Sequence, residues 1–157
     1  MLISFDIDGT IVPSKIDYSF FGNIFSPFFP LMCLVFKFIK RNECSTKFIS
    51  FYEFYKEKVD IVLITSRPAE LTREFNFKGK ILSSQKGLSW HQAKEEKIQK
   101  VIEINPDIHV DNSPLIIREL LNSKTILPIL VGKRKKGLIS IDSLDQLGSI
   151  IEEHINY

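Results

Sequence analysis

Short apolar runs alternate along this chain with longer stretches of helical periodicity, a pattern that predicts βαβ units and a parallel sheet with helices on both faces. Leu2 to Ile7 reads as the first strand. Thr46 to Lys58 sets Phe48, Phe51, Phe54 and Tyr55 on one helical face, and Asp60 to Thr65 follows as a strand of the buried type. Pro68 suits the first turn of a short helix. Lys80 to Ser83 is a weak third strand, after which Ser89 and Gln92 form a capping box opening a helix through Ile104. Its core face is expected to be Ala93, the stem of Lys97, Ile98, Val101 and Ile102. Ile108 to Asp111 is a fourth strand, and Asn112-Ser113-Pro114 supplies a cap and first-turn proline for a helix reaching Leu121. Thr125 to Val131 and Leu138 to Ile141 complete the strands, and a closing helix starts at Asp142 or Ser143 and runs to about His154. The expected fold is α/β, a doubly wound, mainly parallel, Rossmann-like sheet in one domain spanning 1–157.

The chain has 157 residues, 44% of them hydrophobic, enough for one packed core without further staples. With 21 basic against 19 acidic residues the net charge is only +2, so no overall field favours nucleic acid or an anionic membrane. Cys33 and Cys44 have neither metal-ligand spacing nor the density of a disulfide scaffold, and read as reduced thiols of a cytoplasmic protein. The N-terminus lacks a basic start and carries two carboxylates where a signal peptide needs its apolar stretch.

The chemistry-bearing residues gather at the carboxyl ends of the expected strands, where open α/β sheets bind ligands. The first strand ends in Asp6-Ile-Asp8-Gly9-Thr10, and carboxylates two apart on an extended chain point the same way. Such a pair repels unless a proton or cation intervenes, and an oxygen-rich site of this kind suits Mg²⁺. Gly9 gives the turn freedom to bring amide donors close to an anion. The second strand ends in Thr65-Ser66-Arg67-Pro68, hydroxyl and backbone donors ahead of a helix start. Asp111-Asn112 ends the fourth. Among Lys94, Lys97 and Lys100 on one helix, Lys94 is preferred as the residue facing these groups because it lies earliest, and Lys97 is the alternative. His91 and His109 have no partner at ligand spacing and read as structural. Lys133-Arg134-Lys135-Lys136 reads as a solvated turn.

In this order, D-x-D-G-T at Asp6 to Thr10, the hydroxyl of Thr65, a helical lysine and the acidic Asp111, the whole chain resembles the phosphatase branch of the haloacid dehalogenase superfamily. The resemblance implies hydrolysis of a phosphomonoester, with Asp6 as nucleophile, Asp8 as acid and base, and Thr65 and Lys94 as phosphate ligands. It implies Mg²⁺ held by the Asp6 carboxylate, the Asp8 backbone carbonyl and the Asp111 carboxylate. Gly9, Thr10, Ser66 and Asn112 are expected on the substrate side. Many relatives carry a second acid after the final one, whereas this chain has Asn112. Dehalogenation is disfavoured, because that branch lacks the acid supplied here by Asp8.

The remaining feature is a run without charge from Tyr18 to Phe36, inside a stretch from Ile16 to Ile39 that holds 7 of the 13 phenylalanines. A single membrane span there would separate Asp8 from Thr65, and Gly22, Pro27 and Pro30 break a continuous helix. The family inserts caps at this place, so residues 12–42 are expected to form a small hydrophobic cap or a homodimer contact in preference to a membrane-surface segment. The partner is a phosphorylated substrate of open identity, with no nucleic acid expected. Two other classes stay open: a phospho-receiver, disfavoured because its acceptor lies on a later strand than its acidic pair, and a membrane-associated binding protein.

Overall fold

The computed structural model describes residues 1–12, 43–73 and 75–155. Six strands form one sheet: β1 (Leu2–Phe5), β2 (Asp60–Pro68), β3 (Lys80–Ser84), β4 (Ile108–Asp111), β5 (Leu127–Val131) and β6 (Ile139–Ile141). Their order is β3-β2-β1-β4-β5-β6, and every pairing is parallel. The chain therefore builds outward on one side of β1, then returns to lay β4 on the other. That reversal between β1 and β4 opens a crevice at their carboxyl ends.

Alternation along β1 and β4 decides what each face carries. Ile3, Phe5, Ile108 and Val110 point to one side and join a core that includes α1 (Thr46–Tyr55) and the closing helix α5 (Leu147–Ile155). Ser4, Asp6, His109 and Asp111 occupy the intervening positions, and all four are buried. On their side, Val62 and Ile64 of β2 pack with Val101 of α3 (Trp90–Ile104) and Ile116 and Leu120 of α4 (Pro114–Leu120). The two-layer covering expected of a doubly wound sheet is present. The expected cap at 12–42 lies, beyond Val12, outside the described residues. No helix among the described residues is long and apolar enough to cross a membrane.

Local signals account for most of the element ends. Ser45 caps α1 by accepting from the Phe48 amide at 3.2 Å, and Ser89 and Gln92 form the expected reciprocal box on α3. Asn105 ends α3 in the left-handed conformation. Phe5 sits between two rings of α1, Phe48 at 5.3 Å and Phe51 at 5.4 Å between centroids, both edge-on. Truncating Phe48, which is 1% exposed, to Ala is expected to cost about 3–5 kcal/mol, measurable by urea unfolding. A loss under about 1 kcal/mol would remove this aromatic cluster from the core.

Several expectations are corrected. Phe54 is 58% exposed, with the Lys58 ammonium lying over its ring, and Ile102 is 48% exposed. Both sit at the margin of a buried stripe narrower than periodicity alone suggested. The closing helix begins with a 3₁₀ turn, Leu144–Gln146, instead of at Asp142 or Ser143. β2 continues past Thr65 to Pro68, which caps the short α2 (Ala69–Thr72), and its pairing to β3 slips between those two residues. Thr65 lies opposite Ser83 and Pro68 opposite Ser84, so Ser66 and Arg67 bulge out of the ladder.

Candidate active site

The loop after β1 begins at Asp6, whose amide is tied to the Val110 carbonyl of β4 at 2.9 Å. This bond places Asp6 beside Asp111 across the crevice. Between them comes the Lys97 ammonium of α3, 2.6 Å from Asp6 Oδ1 and 2.5 Å from Asp111 Oδ2. Lys97 is 2% exposed, in line with Ala93 and Val101 on the buried stripe of α3. Lys94, the residue preferred on sequence grounds, is half-buried and makes no ion pair or hydrogen bond among the described residues. Of the two lysines considered, it is Lys97, the alternative, that lies between Asp6 and Asp111, and Lys94 is not brought to them. The reason is registry: Lys97 projects from the stripe itself, while Lys94 stands beside it.

The other expected residues divide. Thr10 donates to Asp6 Oδ2 at 3.3 Å and is nearly buried. Thr65, 1% exposed, accepts from the Arg67 amide at 3.1 Å and holds the start of the bulge. Ser66 turns its hydroxyl to the Ala93 carbonyl, 3.4 Å away in the first turn of α3, and so joins β2 to α3. Gly9 has φ 80°, and the Asn112 side chain folds over it so closely that a Cβ there would lie 2.1 Å from Asn112 Nδ2. Asp111 Oδ1 accepts from the Ser113 amide at 2.7 Å, capping the entry to α4 in place of the Ser113 hydroxyl.

Two residues not anticipated at the site are His109 and Arg67. His109 is fully buried, with Nδ1 2.7 Å from Ser4 Oγ and Nε2 3.4 Å from Asp111 Oδ2. Ser4 and His109 are cross-strand partners in register, which explains the contact. An ionised Asp111 can only accept, so Nε2 carries the proton and Ser4 donates to Nδ1. Burial holds His109 below its usual pKa and hence neutral. Arg67 forms a two-pronged pair with Asp8, Nε to Oδ2 at 2.7 Å and Nη2 to Oδ1 at 2.5 Å. The pair was hidden in the sequence because only the bulge in β2 carries Arg67 back towards the loop after β1.

Charge balance is the main electrostatic fact. Burial pushes the Asp6 carboxyl well above its ordinary range; the Lys97 ammonium opposes this and the nearby Asp111 and Asp8 reinforce it. Burial acts on Asp111 in the same sense, but Lys97 and the His109 contact outweigh it and hold Asp111 below its ordinary range. Burial alone would lower Lys97, and its two carboxylates more than reverse that. Among the described residues, Asp6, Asp8 and Asp111 against Lys97 and Arg67 leave one negative charge in excess, and Asp6, whose carboxyl is pushed upward, is the group most readily relieved of it by a proton. A buried uncompensated carboxylate needs a proton or a cation.

A divalent cation would be one way to meet that need. No group of three or more His, Cys, Asp or Glu side chains is placed to hold a metal among the described residues. Mg²⁺ does not need one, since it is commonly bound by one or two carboxylates, waters and substrate phosphate. The expected donor set of two carboxylates and one backbone carbonyl is of that type. Comparison with known proteins finds no matching family model, no matching curated protein and no matching solved structure.

Proposed function

We propose that the chain is a Mg²⁺-dependent phosphomonoester hydrolase of the haloacid dehalogenase type, working through an aspartyl-phosphate on Asp6. The observation that carries this reading is the Asp6–Lys97–Asp111 bridge at the β1/β4 switch point. It sets a carboxylate with a charge deficit at the place where an α/β sheet receives anionic ligands. A dinucleotide fold with the same strand order would carry a glycine-rich loop after β1. Here that loop carries Asp6 and Asp8.

In the proposed reaction an Asp6 oxygen attacks phosphorus as the bond to the leaving oxygen breaks, and Asp8 supplies the proton that oxygen needs. Asp8 then takes a proton from the water that opens the acyl phosphate, and inorganic phosphate leaves. Mg²⁺, held by the Asp6 and Asp111 carboxylates and the Asp8 carbonyl, would neutralise phosphoryl charge. Lys97 keeps Asp6 oriented and offsets repulsion between two anions, a task first assigned to Lys94. His109 and Ser4 fix Asp111 from beneath. Thr65 and the amides around Gly9 remain the proposed phosphate contacts.

Hydrolysis of an aryl phosphate in Mg²⁺ and in EDTA tests the proposal. Activity is expected with Mg²⁺, to be abolished by EDTA, and not to be restored by Ca²⁺, whose longer bonds and larger coordination number spoil an in-line geometry. Asp8→Asn should leave labelled phosphate on the protein. Equal rates with and without EDTA, or no hydrolysis at all, would sink the reading.

A further inference from the structure

Asp8 cannot act while both of its oxygens are held by the Arg67 guanidinium. The two partners differ in freedom. The Arg67 side chain is 8% exposed and leaves the ladder at a bulge, whereas the Asp8 side chain is 31% exposed. A nearly buried guanidinium favours an anion in front of its fork. The carboxylate, by contrast, can turn towards water. The exchange that this asymmetry permits has Arg67 staying in place while its anion changes. A phosphoryl group presents oxygens that the same planar fork accepts in the same two-pronged way. Asp8 follows Asp6 by two residues on the loop after β1, so a fork that holds Asp8 is anchored to the same loop as the carboxylate expected to meet phosphorus.

We infer that Arg67 is a phosphoryl-binding residue masked by Asp8 in the free protein, and that arrival of the phosphoryl group displaces Asp8, whose freed carboxylate then takes up a proton from solvent and can pass it to the leaving oxygen. This rests on the phosphatase reading and adds a regulatory step to it: the acid and base becomes available only when substrate is bound. The internal carboxylate acts as a competing ligand, so substrate affinity is lowered by the fraction of time the fork is occupied. Asp8 is correspondingly kept from activating water at an empty site.

Inorganic phosphate is the probe, titrated by calorimetry into the full chain in Mg²⁺ buffer. Asp8→Asn removes the competing carboxylate and is expected to tighten phosphate binding on the order of tenfold. Loss of a neighbouring negative charge would also favour an anion, so the comparison includes Asp8→Asn combined with Arg67→Gln. The gain should vanish in the double variant. A second measurement avoids dependence on a buried-arginine variant that fails to fold: the Nε–H resonance of Arg67 in the wild type should shift as phosphate is added. Unchanged affinity in Asp8→Asn, a gain that persists without Arg67, or an Arg67 resonance indifferent to phosphate overturns the inference. If those results come with intact Mg²⁺-dependent hydrolysis, the phosphatase reading stands without it. If no variant binds phosphate and no hydrolysis occurs, both fall.

Discussion

Lys97→Ala is expected to destabilise the protein strongly, while Lys94→Ala leaves its melting temperature within a few degrees of the wild type. Removing one member of a buried ionic group typically costs about 3–5 kcal/mol, because the partner charge stays buried. Here Asp6 and Asp111 would face each other, both almost fully buried, with no cation between them. For a protein of this size each kcal/mol is worth roughly 2–4 °C, so a loss of roughly 6–20 °C is expected for Lys97. Any folded fraction should turn over aryl phosphate more slowly by about 10²–10³, the usual effect of deleting one preorganised electrostatic contact. Lys94 contributes no ion pair among the described residues, and its truncation removes only partly buried methylene surface. Thermal melts and initial rates on the two variants decide the matter. Losses of similar size in both, or a larger loss at Lys94, would return the role to the earlier position on the helix.

Asp6→Asn should have the opposite pairing of effects, abolishing turnover while preserving or raising stability. An amide is a poor nucleophile, so hydrolysis should fall to background. Its Oδ1 still accepts from Lys97, and Asp111 then neutralises that ammonium alone. The direction of the Asp6 shift sets the sign: a carboxyl whose pKa rises on folding opposes stability wherever its unfolded form would be ionised, which includes neutral pH. Replacing it with a neutral isostere lifts that penalty. In EDTA the variant should therefore melt no lower than the wild type and up to several degrees higher, a separation of stability from activity common at strained sites. Residual turnover near the wild-type rate would place the nucleophile elsewhere. A melting point several degrees lower would mean that Lys97 needs both negative charges.

The sheet and the first motif were legible because their signals are local. Strand alternation places Ser4 and Asp6 on the face opposite Ile3 and Phe5 within a few residues of sequence, and the reciprocal cap of Ser89 and Gln92 needs no distant partner. Lys97 was harder to place. Periodicity located it on the core stripe of α3 but suggested that only its stem would be covered, since a buried ammonium makes sense only with carboxylates 91 and 14 residues away. His109 was read as structural for the same reason: Ser4, its partner, is 105 residues distant and meets it only through parallel register. Arg67 depended on a register slip that no composition signal announces. Side chains whose role comes from a neighbouring strand or a bulge escape a reading based on spacing along one element.

The Gly9–Asn112 contact restricts how this protein can diverge over time. Two separate obstacles stand at position 9, a backbone φ of 80° that side chains rarely adopt and an Asn112 amide 2.1 Å from where a Cβ would lie. Shortening residue 112 removes the second obstacle and leaves the first, so no pair of substitutions restores freedom at position 9. Position 112 is under the milder restriction, since the atom that meets position 9 is the far end of a flexible side chain and can turn aside. Among descendants of this chain, glycine at 9 should therefore stay constant while 112 is freer to drift.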